Sequence, residues 1–159
     1  MSDELRALFN HVKRAARRAF LREDEFEAML FIEFDQVYDP SDPMRLQMPL
    51  QRDEETPRKM FELRAAIHAH GRPLRLGMFS LIGVALEGRD DYWDQLVILV
   101  EQRDGRALAG FYYITPGDPS TLGEWHRMRF AMEKPGPSKL SILFVPPVEL
   151  ALPRERMLQ

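Results

Sequence analysis

The chain has 159 residues, 45% of them hydrophobic and 30% charged, a balance that belongs to one folded domain and excludes a disordered chain. Its net charge of −3 provides no general attraction to a polyanion, so nucleic acid would need a local basic patch. The absence of cysteine excludes disulfides, thiolate nucleophiles and Cys-based metal sites, and makes a reducing, cytoplasmic compartment the expectation.

Residues 1–20 lack the continuous apolar core of a signal peptide, and no apolar run approaches the roughly 20 residues that a membrane span needs. From about Ser2 to Arg22 the periodicity predicts an amphipathic helix. Leu5, Leu8, Phe9, Val12, Ala16, Ala19 and Phe20 gather on one side, and Arg6, Lys13, Arg14, Arg17 and Arg18 on the other. The basic face could meet an acidic protein, anionic lipid or nucleic acid. The clusters Glu23–Glu25 and Asp53–Glu55 offer it counter-charges within the chain, which favours simple solvation.

Phe26 to Phe34 alternates as a strand would, although Glu23–Glu27 could also prolong a helix; the strand is preferred. Residues 39–55, rich in Asp, Pro and Glu, read as an ordered loop or lid. A second helix is expected from Thr56, with Pro57 at its first turn, to His70 before Gly71, burying Met60, Leu63 and Ile67. Strands then follow at about Leu74–Glu87, Asp94–Arg103, Arg106–Thr115, Glu124–Glu133 and Lys139–Val145. Asp104-Gly105 predicts a two-residue type I′ turn, with Ile98 opposite Phe111, Leu96 opposite Tyr113 and Val97 opposite Tyr112. Pro146, Pro147 and Pro153 turn residues 146–159 into an extended arm outside a single domain spanning 1–145. The fold class is therefore α+β: N-terminal helices packed on an antiparallel meander of five to six strands, flat or curved.

The central strands pose a physical problem, because Met78–Leu86, Leu96–Val100 and Leu108–Ile114 are apolar at nearly every position. An antiparallel sheet wetted on one side should alternate instead. Both faces need cover, from a second copy of the chain, from curvature around an apolar pocket, or from the chain's own helices, loop and arm.

Candidate chemistry is sparse. His68 and His70 are two apart on a helix and cannot share one metal ion, so no metal site is expected. His126 shares a strand face with Met128, Phe130 and Met132; it is the best general base if a pocket exists, with Glu33 or Asp35 as carboxylate partners. Trp125, Arg127 and Arg129 alternate on the other face, where they could bind an anionic ligand or protect an edge strand. With Phe111, Tyr112 and Tyr113 they form the candidate contact residues of the sheet. No P-loop, dinucleotide fingerprint, nucleophile elbow or EF-hand is present, and no cofactor is expected.

Three functional readings follow. The first is a non-enzymatic binding or adaptor domain working through an apolar sheet face, as a homodimer or with another protein. The second is a pocket protein that binds a small apolar ligand or performs acid–base chemistry with His126. The third is a small regulator touching nucleic acid through the basic helix, which the net charge disfavours.

Overall fold

Alternation decides the first strand: Ala28, Leu30 and Ile32 are buried on one side of the chain and Phe31 on the other, so β1 (Met29–Phe34) is extended, as the preferred reading expected. A computed structural model describes residues 3–21, 26–35, 43–47, 56–85, 92–115, 121–128 and 140–147. Helix α1 (Asp3–Leu21) precedes β1. Strand β2 (Met44–Gln47), helix α2 (Thr56–His70), β3 (Pro73–Ala85), β4 (Tyr92–Gln102), β5 (Ala107–Thr115) and β6 (Thr121–Met128) follow, and a 3-10 helix, Ser141–Phe144, ends the described chain. The strands form one antiparallel sheet in the order β2-β1-β3-β4-β5-β6, open at both edges. The α+β class and the meander of β3 to β6 are as the sequence predicts.

Two element assignments are corrected. Within the expected loop, Met44-Arg45-Leu46-Gln47 alternates apolar and polar residues and pairs with β1, Leu46 facing Leu30. The expected strand at Lys139–Val145 is instead the 3-10 helix, whose buried Leu143 packs with Leu140 against α2 and β1. The loop residues 48–55, the acidic cluster Glu23–Glu25 and residues 148–159 of the proposed arm lie outside the described residues.

The β4–β5 hairpin is also corrected, by one residue. Leu96 faces Tyr112, Val97 faces Phe111 and Ile98 faces Gly110. A type I′ turn needs positive φ at both loop positions, and among the described residues only glycines adopt it, Gly105 at φ +98°. Asp104 stays right-handed and binds locally: its carboxylate accepts the Arg106 backbone N–H at 3.0 Å and the Gln102 side-chain amide at 2.8 Å. The Gly105 N–H donates to Gln102 O at 2.9 Å and the Gln102 N–H to Arg106 O at 2.8 Å. These bonds close a three-residue loop, a type I turn followed by a left-handed glycine.

Helix α1 lies on one face of the sheet, its Leu5, Leu8, Val12 and Ala16 packed on Phe31, Phe79, Leu96, Ile98 and Val100. On the other face α2 and the 3-10 helix cover Leu30, Ile32 and Leu76, with Met78 and Leu99 at the margin. Cover from within the chain thus accounts for one face and for the β2-β1-β3 end of the second.

Gly110 on β5 has no side chain because the Trp125 ring occupies that space; an added Cβ would overlap the indole and lie 2.8 Å from the His126 carbonyl oxygen. Since backbone as well as side chain must shift, Gly110→Ala should lower stability by about 1–3 kcal/mol. A falling urea midpoint together with a red-shifted tryptophan emission would register the displaced indole; an unchanged spectrum would contradict the close packing.

Arg64 projects from the buried stripe of α2 at 2% exposure, and among the described residues none of its guanidinium nitrogens has a hydrogen-bond partner. Its guanidinium carbon lies over the face of Phe61 at 4.6 Å. An ion stripped of water without compensation costs several kcal/mol, so Arg64→Met should stabilise the fold by about 1–4 kcal/mol. Chemical denaturation reads this directly, and a loss of stability instead would mean that an anion meets Arg64 in solution.

Candidate functional site

Side chains on β5 alternate between the two sheet faces, and the one-residue shift of the hairpin decides which aromatic residue goes where. Tyr112 turns toward α1, whereas Phe111 and Tyr113 turn to the opposite face, beyond the apolar cluster under α2. There Phe111 pairs across the strands with His126 and Val97. The Phe111 and His126 rings stack at 5.3 Å with an 18° interplanar angle, and Tyr113 meets both edge-on at 5.0 Å. Tyr113 is 37% and Met128 41% exposed, so this aromatic cluster looks into solvent among the described residues.

Trp125 differs from the expected outward position. The β5–β6 register shifts between Tyr112 and Ile114, which places both Leu122 and Trp125 against the α1 side although they are three apart in sequence. The indole packs on Tyr112 at 4.8 Å and on Phe9 at 5.8 Å, and the Lys13 ammonium sits over it at 4.0 Å. Arg17 lies over Tyr112 at 5.9 Å. Burial, and then the Arg17 charge, push the Lys13 ammonium below its usual range; burial raises the Tyr112 hydroxyl above its own, against the pull of Arg17.

The basic face of α1 therefore divides. Lys13 and Arg17 lean on the β5–β6 aromatics, and Arg6 joins Arg127, Asn10 and Trp125 around a shallow 230 Å³ depression. Arg14 and Arg18 point to the other flank, where they line a groove with His11 and with Arg45 of β2. Arg45 and His11 escaped the sequence reading. The first lay in a presumed loop, where the alternation of Met44 to Gln47 was the signal that could have placed it.

Glu33 and Asp35 do not serve His126. Glu33 accepts the Arg75 Nε–H at 3.1 Å on the α1 side of the sheet, both side chains 6% exposed, and Arg75 also reaches Glu4 at 3.2 Å and Gln102 at 3.3 Å. Asp35 pairs with Arg103 at 2.9 Å. His68 donates its Nε2–H to the Leu143 carbonyl at 2.8 Å, which ties α2 to the 3-10 helix, while His70 is exposed. No group of metal-binding side chains gathers among the described residues, and no helix is long and apolar enough to cross a membrane. Arg129, Phe130 and Met132 lie outside the described residues. No protein-family model, curated protein or solved structure matches this chain.

Burial raises the Glu33 carboxyl above the usual carboxylate range, and the neighbouring Arg75 only partly offsets it. The folded chain therefore takes this proton more readily than the unfolded one. Its contribution to stability is full below the unfolded pKa and is lost as pH rises through the folded value. Glu33→Gln should remove that gain on acidification from neutral pH, read as the difference between variant and native denaturation midpoints across the range. Parallel pH profiles would contradict the assignment.

Proposed function

We propose that the chain is a non-enzymatic binding domain that self-associates through the β4–β6 part of the sheet face opposite α1. The observation that carries this reading is the aromatic cluster of Phe111, Tyr113 and His126, lying beyond the apolar cluster under α2 with Tyr113 and Met128 exposed beside it. Contiguous exposed aromatic and Met side chains mark association surfaces, because burying them against a partner releases ordered water at little cost in side-chain entropy. A second copy is the favoured partner. A two-fold axis sets the same patch against itself, and the flat Phe111–His126 stack can receive a Tyr113 ring from the other copy.

Two features weigh against the other readings. Both carboxylates considered for His126 are engaged with arginines, so neither orients it for base catalysis. The cations of α1 diverge to two flanks, which gives no continuous stripe for a nucleic-acid backbone.

Sedimentation velocity over about 1 to 100 µM should show a concentration-dependent dimer, and Tyr113→Lys should weaken it by about tenfold or more while leaving the circular dichroism unchanged. A chain that stays monomeric throughout that range would overturn self-association.

A further inference from the structure

A different concave surface lies on the α1 side of the sheet. Between α1 and strands β1 and β2 runs a groove of about 290 Å³, near the lower end of the roughly 300 to 1,000 Å³ typical of small-ligand pockets. Its rim is cationic: Arg14 and Arg18 from α1, Arg45 from β2, and beside them His11. Glu27 is the one carboxylate among the described lining residues, and among the described residues Arg14 and Arg18 form no ion pair. Its floor is apolar: Ala15, Ala19 and Met29 are partly exposed, and the buried Phe31 and Phe79, their rings 5.9 Å apart, lie beneath them.

The two halves are joined at Phe31. Arg45 lies over that ring at 5.5 Å, the His11 ring meets it edge-on at 5.6 Å, and the Arg45 guanidinium stands 3.5 Å from His11 Nε2. The guanidinium of Arg45 is thus held at the mouth of the apolar floor, while Arg14 and Arg18, one helical turn apart, approach from the other wall. A guanidinium fork suits planar carboxylate, sulfonate or phosphate oxygens, and the floor suits a flat or aliphatic body.

We propose that this groove binds a small amphiphilic organic anion, with its acidic head among Arg14, Arg18 and Arg45 and its apolar body on Ala15, Ala19 and Met29, above the buried Phe31 and Phe79. Charge selects the ligand, since three arginines crowd one glutamate there, and the apolar floor favours an organic anion over an inorganic one.

The test compares two fluorescent probes with the same aromatic body, the anionic 8-anilinonaphthalene-1-sulfonate and the neutral N-phenyl-1-naphthylamine, titrated into the full chain. The sulfonate should saturate at one site and bind about tenfold or more tightly than the neutral probe. Arg14→Gln with Arg18→Gln should reduce sulfonate affinity by a similar factor, and because both side chains are exposed the thermal midpoint should hold. Arg45→Gln should act in the same direction, while Tyr113→Lys on the far face should leave sulfonate binding intact. Equal affinity for the two probes, or sulfonate binding lost in Tyr113→Lys and kept in the arginine variants, would overturn the proposal. Neither result would touch the oligomeric state, which is read separately.

Discussion

The architecture depends on central strands that cannot be left wet on either side. Phe79, Leu96, Ile98 and Val100 are buried on the α1 face of β3 and β4, and Leu76 is buried on the other face with Met78 and Leu99 partly buried beside it. A sheet of this kind is stable only between two layers, and the described residues supply them unequally. The 19-residue α1 spans the sheet from β1 to β5, whereas the 15-residue α2, with a single 3-10 turn, covers the β2-β1-β3 end. The imbalance leaves β5 and β6 with aromatic residues beyond the reach of that cover.

Helix α1 acts as a roof over the sheet and as one wall of the groove. Its apolar stripe occupies so much of the sheet that the cations beside the stripe are drawn down to the margins. Over β5 and β6 they meet aromatic rings, which satisfy Lys13 and Arg17 by cation–π contact and keep Trp125 packed over Gly110. Over β1 and β2 they meet Arg45 of β2, and the three arginines converge with Glu27 as the one carboxylate among the described lining residues. One amphipathic helix thereby produces a packed flank and a grooved one.

Polar groups inside the fold divide in the same way. Arg75 is buried with Glu33, Glu4 and Gln102 around it and ties the start of α1 to β1, β3 and β4. Arg64 is buried with none among the described residues and is there a standing cost. Both are arginines in apolar surroundings; whether acceptors come from neighbouring strands is what separates a bolt from a liability.

Much of this was determined by the sequence alone: the helix periodicity from Leu5 to Phe20, the helix bounded by Thr56 and His70, the antiparallel strands and the need to cover two faces. These follow from local spacing, which the 3.6- and 2-residue periods translate directly into faces. Tertiary structure decided the features that depend on counting residues across a gap. A three-residue loop in place of a two-residue one turns Phe111 and Tyr113 away from α1 and brings Tyr112 under it, because each step of register inverts every side chain on a strand. The bulge on β6 brings Trp125 inward, and Arg45 joins Arg14 and Arg18 only once β2 pairs with β1. Spacing along the chain states which residues share a face, but which faces meet is set by pairing energies between distant segments, and both candidate binding surfaces are products of that pairing.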